Sequence, residues 1–270
     1  MGQQVAKAHA YGNDFLLVPE DAFPQADAAR TFTVRELCHR HHGVGADGLI
    51  LYTLRDRGAT MKLWNADGSP SELSGNGLRC LAALVARNQR IGPGSSIAVD
   101  TDAGVKTLEL LARDGERYTF RAAMGPPEEL RQVSITAGSE SVTASVLRLG
   151  NPQCVVLGPL PDADRFNRLG PALATHPMFP AGTNVEFAQV EAPDRVRIQI
   201  WERGVGPTTS SGTGTSASAV AAAAHGGAAR ELDVVAPGGT QRVEWRQDGV
   251  YLTGWAELIF DGEWVKERLT

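Results

Sequence analysis

SELSGNGLRCLAALVARNQ (71–89) and TTSSGTGTSASAVAAAAH (208–225) are two versions of one sentence: a serine, two glycines flanking one residue, then an apolar run. Serine is among the best residues for starting a helix, because its hydroxyl accepts a first-turn N–H, and glycine permits the tight turn before it. The runs predict helices over Leu78 to about Gln89 and Thr215 to about His225, stopped by Gly92 and by Gly226-Gly227. The second run is small and apolar all round, with no charged face, as in a helix buried on every side.

Working outward, the surrounding sequence repeats in the same order. Gly12-Asn13 matches Gly150-Asn151, Asp47 matches Asn184, Trp64 matches Trp201, Ser74 matches Ser211 and Gly104 matches Gly239. The offset stays near 137 residues throughout. Ordered matches at one offset imply a duplicated unit of about 135 residues, too long for a solenoid repeat. Short or alternating apolar runs read as strands: FLLV, LILY, MKLW, VTASVLRL, CVVLG and VRIQIW. Many strands around one buried helix per repeat predict an α+β fold of two pseudo-symmetric lobes, each a curved, mostly antiparallel sheet around a central helix. The expected lobes are residues 1–125 and 126–255, with the run WAELIF opening a segment 256–270 that returns to complete the first.

Composition excludes several function classes. The 270 residues carry a net charge of −5 with no run of Lys or Arg, which argues against nucleic acid as a partner. No apolar stretch reaches the ~18 residues of a membrane span, and the N-terminus has no signal-peptide core, so a cytoplasmic protein without a membrane partner is expected. Cys38, Cys80 and Cys154 are odd in number and far apart, as free thiols in a reducing compartment are. Four lysines stand in no cofactor motif, so pyridoxal chemistry has no visible anchor. GVGADG (43–48) fits a dinucleotide fingerprint but leads into the strand-like LILYTL instead of a helix. His39, His41 and His42 lie where VRELCHRHH is expected to end as a helix, and cations there are stabilising without any metal.

The repeated helix starts are the candidate site. Free first-turn N–H groups and a positive dipole end suit an anion such as a carboxylate, and two facing lobes would clamp one between them with Ser74 and Ser211 on either side. Asn13, Asn151, Asp47, Asn184, Asn65, Glu202 and Arg203 fall in aligned positions around it. Amide donors with one carboxylate and one guanidinium suit an amino acid, or one end of a longer zwitterion.

KAHAYGNDF, HHGVGADG, NADGS, SGNGLRC, GNPQC, GTNVEF, ERGVG and SGTG, taken together, resemble the diaminopimelate epimerase family across nearly the whole chain. The resemblance implies a cofactor-free and metal-free isomerase that inverts an amino acid's α-carbon, in the lysine and cell-wall precursor route, using one residue on each face. It implies that Gly75, Asn76, Gly212 and Thr213 hold the α-carboxylate. Asn13, Asn65, Asn151, Asn184, Glu202 and Arg203 would grip the distal amino-carboxylate end, and the protein would be a homodimer. The family's two base cysteines are Ser74 and Ser211 here, and its histidine after GNP is Gln153. A thiol near pKa ~8.5 can be tuned to a thiolate, whereas an alcohol is too weak an acid to act alone as a base. Three activities fit this altered pair. One is an epimerase or racemase whose serines another group activates, Glu72 or Asp67 being candidates. Another is a related isomerase or dehydratase. The third is a homologue, or a Cys→Ser substrate trap, that binds amino acids without chemistry.

Overall fold

The computed structural model describes residues 2–24 and 26–265. The chain divides into two compact units: one runs to Ala122 and resumes at Gly254, and the other spans Ala123–Thr253.

The first unit opens with a hairpin of β1 (Gln3–Ala10) and β2 (Asn13–Pro19), turned at Tyr11 and Gly12 with φ of 57° and 87°. Both turn positions need positive φ, as in the hairpin turn whose twist matches its strands. There follow α1 (Asp27–Cys38), β3 (Gly48–Arg55), β4 (Gly58–Asn65), β5 (Pro70–Ser71), α2 (Gly75–Asn88), β6 (Ser96–Thr101), β7 (Gly104–Asp114) and β8 (Arg117–Gly125). β2 pairs with β3 in parallel, β3 with β4 antiparallel, β4 with β6 in parallel, and β6, β7 and β8 continue antiparallel.

The second unit holds β9 (Glu128–Ala137), β10 (Glu140–Leu149), β11 (Asn151–Leu157), α3 (Ala163–Ala174), β12 (Asn184–Ala192), β13 (Arg195–Glu202), β14 (Gly206–Thr208), α4 (Gly212–His225), β15 (Glu231–Ala236), β16 (Gly239–Trp245) and the start of β17 (Val250–Trp264). The order of pairings is the same, with β11–β12 and β13–β15 parallel and the other ladders antiparallel. Each parallel pair is joined by a helix, because a parallel crossover needs a long connection. β17 then continues into the first unit, pairing with β1 from Gln3↔Trp264 to His9↔Glu257 and with β8, which closes that sheet into a ring. Residues 266–270 of the expected return segment lie outside the described residues.

Each sheet wraps its central helix. Residues Asn76–Ala86 of α2 are buried, and among them Leu81, Leu84 and Val85 pack with Phe15, Leu17, Ile50, Ile97 and Phe120. Gly214–Ala222 of α4 are buried among Leu147, Val155, Ile198 and Val234. Each fully buried Leu, Ile or Phe contributes about 1.5–3 kcal/mol by leaving water, so these helices anchor their units.

Four details differ from the sequence reading. Both central helices begin three residues earlier than the apolar run, at Gly75 and Gly212, because the serine hydroxyl caps the turn that holds the glycines. α4 is enclosed only to Ala222, and its last turn reaches solvent. α1 ends at Cys38, so the three histidines lie beyond it: His39 is already extended, and its Nδ1 accepts the N–H groups of His41 and His42. α3 was invisible in the sequence because it contains Gly170 and Pro171, both helix breakers. Gly170 is required there, since a methyl would lie 2.7 Å from the Trp201 ring.

Candidate active site

In the first unit, Ser74 has extended backbone and caps α2, its Oγ accepting the Gly77 N–H at 3.1 Å while its carbonyl takes the Leu78 N–H. The turn lies at the inner end of a polar chain that runs from buried Arg79 and Asn76 out to exposed Asp47 and Arg40. Arg79 donates to Asn76 Oδ1 at 2.5 Å, Asn76 to Asn13 Oδ1 at 3.1 Å, and Asn13 to Asp47 Oδ2 at 2.9 Å. Asp47 and Asp14 share Arg40, and Lys7 reaches Asp14 at 3.0 Å. Burial alone would raise the Asp14 pKa, but hydrogen bonds from Arg40 and Lys7 outweigh it and bring it to about 2. Asn65 stands apart, donating to Ser69 Oγ at 2.9 Å.

In the second unit, Ser211 repeats the arrangement: extended backbone, Oγ accepting the Gly214 N–H at 3.1 Å, and its carbonyl taking the Thr215 N–H. Among the described residues the Gly212 and Thr213 N–H groups have no protein acceptor, as the first turn of a helix leaves them. Asn184 is buried, and its Oδ1 accepts the Arg203 N–H at 2.9 Å. Arg203 is exposed, donates to the Ala181 carbonyl at 2.8 Å, and borders a cavity of ≈ 360 Å³ together with Trp201 and Gly182. Glu202 is partly buried and desolvation raises its pKa. Gln153 is fully buried, donates to Asn151 Oδ1 at 2.5 Å and has an Oε1 with no partner among the described residues.

The strand ladders refine the pairing of Asp47 with Asn184 by one residue. Gly48 pairs with Phe15 on β2, while Asn184 pairs with Gln153 on β11, so Asn184 holds the place of Gly48. Accordingly, the Asn184 side-chain oxygen accepts the Arg203 N–H, where the Asp47 main-chain carbonyl accepts the Ala66 N–H.

Neither suggested activator serves Ser74. Asp67 is exposed and its carboxylate takes the Ser69 hydroxyl and N–H, which lower its pKa. Glu72 is exposed, with no bond to Ser74. The cysteines offer no replacement base: all three are buried, and desolvation pushes Cys38 and Cys154 up to about 12 and Cys80 further. No cluster of three potential metal ligands occurs among the described residues, and no helix among them is long and apolar enough to cross a membrane.

Sequence reasoning missed Glu186 of β12. It is fully buried, neither carboxyl oxygen has a partner among the described residues, and it abuts the first turn of α4. The available signal was a lone carboxylate in NVEFA, a stretch otherwise apolar enough to be buried on both faces.

The diaminopimelate epimerase family matches residues 5–130 and 145–259. The chain is 40% identical to the diaminopimelate epimerase of Desulforudis audaxviator, over 97% of this chain and 99% of the relative. It is 37% identical to that of Desulfitobacterium hafniense, over 99% and 100%. Its fold is similar to that of a predicted epimerase from Pseudomonas aeruginosa, with TM-score 0.73 and 17% identity over 98% of this chain and all of that one. It is also similar to a hydroxyproline epimerase from Agrobacterium vitis with bound trans-4-hydroxy-L-proline, with TM-score 0.67 and 18% identity over 97% and 90%. With nearly the whole chain matched, this protein belongs to the diaminopimelate epimerase family.

Proposed function

We propose that this chain is a cofactor-independent isomerase that inverts the α-carbon of diaminopimelate or a closely similar diamino-dicarboxylate, a step toward lysine and cell-wall precursors. The observation that carries this reading is the pair of serine-capped helix starts, Ser74 before Gly75-Asn76-Gly77 and Ser211 before Gly212-Thr213-Gly214. In this reading the 75–76 and 212–213 turns hold the α-carboxylate and the negative charge that develops as the α-proton leaves. Ser74 and Ser211 serve opposite faces of the α-carbon. Asn13, Asn65, Asn151, Asn184, Glu202 and Arg203 recognise the distal amino-carboxylate group by charge-assisted hydrogen bonds. The same reading takes the chain as a duplicated unit that acts as a homodimer in the cytoplasm.

The test is α-proton exchange in deuterated buffer with each diaminopimelate stereoisomer, with products separated by chiral chromatography. Exchange that is lost in Ser74→Ala and in Ser211→Ala supports the assignment. Rapid exchange unaffected by either change would refute it. One observation favours a second reading, binding without inversion: both capping groups are alcohols and every thiol is buried and held protonated. Calorimetric binding of diaminopimelate without any exchange would select it.

A further inference from the structure

We propose that Glu186 is the proton reservoir of Ser211, so that the second unit's serine, unlike the first's, works as an acid–base relay. This rests on the epimerase reading above and deepens it.

The two units differ in what lies beside the capping serine. In the first, a methyl added to Gly77 in the opening turn of α2 would meet only hydrocarbon: Ile50 Cδ1 at 3.0 Å, with Met61 and Phe15 at 3.4 Å. In the second, a methyl at the matching Gly214 would overlap Glu186 Oε1 and lie 3.2 Å from Ser211 Oγ. Glycine is thus what lets a carboxyl group lie against the capped turn beside the serine hydroxyl. The ladder register agrees, since Glu186 stands two residues after Asn184 as Ile50 stands two after Gly48.

A fully buried carboxyl with both oxygens unpartnered is costly unless it is neutral or has work to do. Desolvation, with the Glu202 charge adding to it, raises the Glu186 pKa well above the usual range. The titratable groups facing it are Glu202 on β13 and Cys154 on β11, and α4 presents none before His225. Ser211 Oγ accepts the Gly214 N–H, and its nearest hydroxyl neighbour is Thr213 Oγ1 at a loose 3.5 Å, so its own proton has no strong acceptor elsewhere.

The step balances in both directions. No hydrogen bond joins Glu186 to Ser211 in this structure, so the relay requires the hydroxyl to turn from its cap toward the carboxyl: with Glu186 ionised, Ser211 Oγ takes the substrate α-proton, leaving the electron pair on the α-carbon, while the serine's own proton passes to a Glu186 oxygen. With Glu186 protonated, its proton returns to Oγ as Oγ–H delivers a proton to the α-carbon. Ser211 is the group that touches substrate, and Glu186 is a positioning residue that acts through it. Abstraction on this face rises with pH as Glu186 ionises, whereas the Ser74 face has no such carboxyl.

The experiment compares the parent chain with Glu186→Gln and Glu186→Asp, following exchange at each diaminopimelate stereocentre across pH. Thermal melts establish that the variants fold. Glu186→Gln should lower exchange of the stereoisomer facing Ser211 by about 10²-fold, the range of a positioned acid–base group, at unchanged KM. Its rise with pH should vanish, and Glu186→Asp should restore part of it. Exchange and pH profile retained in Glu186→Gln, or equal loss on both faces with a raised KM, would overturn the relay.

If the parent exchanges nothing, the proposed activity fails, and infrared spectroscopy decides the relay separately. In parent-minus-Glu186→Gln spectra the relay requires a protonated-carboxyl band at neutral pH that shifts in Ser211→Ala. Absence of the band or of its shift overturns the proposal.

Discussion

Arg79 Nη2 donates to Asn76 Oδ1 at 2.5 Å, one turn back along α2, and this bond holds a guanidinium that is 2% exposed and whose Nε has no acceptor. The Tyr11 ring lies 5.7 Å from it and supplies a second, weaker partner. Charge is thus buried beside the Ser74 turn with little to spare in hydrogen bonding. Asn76→Ala strips its acceptor and should cost about 1.5–3 kcal/mol in urea unfolding, the range for a hydrogen bond to a charged group. The double change Asn76→Ala with Arg79→Met should cost less than Asn76→Ala alone, because no unpaired cation remains. A double variant no more stable than the single one would show that the bond is not what matters.

The serines predict slow turnover. A thiol at a helix N-terminus ionises far more readily than an alcohol, so Ser74→Cys with Ser211→Cys should raise α-proton exchange by at least ~10²-fold. Each single change should do less, since inversion needs both faces. An unchanged rate in the double variant would remove both residues from the chemistry.

Arg203 anchors only one nitrogen on the Ala181 carbonyl and is exposed, which leaves donors for a ligand carboxylate. Arg203→Ala should weaken diaminopimelate binding by about 1.5–3 kcal/mol in calorimetry. Monoamino acids, which lack the distal group, should be little affected. Equal binding by parent and variant would separate Arg203 from the substrate.

Two carboxyls should tilt stability with pH in opposite senses. Asp14 has its folded pKa depressed to about 2, below its unfolded value, so its contribution is present above pH ~4 and is lost as pH falls toward 2. That contribution is on the order of 2 kcal/mol, and Asp14→Asn should flatten the acid limb of a melting-temperature profile. Glu186 is raised, so the unfolded chain ionises before the folded one and stability falls as pH climbs above the unfolded Glu value toward the folded one. Glu186→Gln should therefore gain melting temperature relative to the parent as pH rises from 5 to 8. A difference independent of pH would mean that Glu186 is ionised in the fold.

How much of this was legible in the sequence depends on the range of the interactions. Ser74 and Ser211 were readable as helix caps because a cap is a local device: a hydroxyl, two glycines and an apolar run specify it within one turn. The strands were readable because alternation records which face is buried. Registers and packing partners were not, because they are fixed between segments far apart in the chain. The Asp47–Asn184 match slipped by one residue because a fixed offset cannot see a ladder, and α3 was hidden because Trp201, on another element, decides that Gly170 must stand inside a helix. Glu186 shows the limit most clearly. Its neighbours in sequence mark it only as a carboxylate in a strand. Tertiary structure alone brings it against Gly214, strips its water and sets it beside Ser211, and its chemistry depends on that loss of solvent.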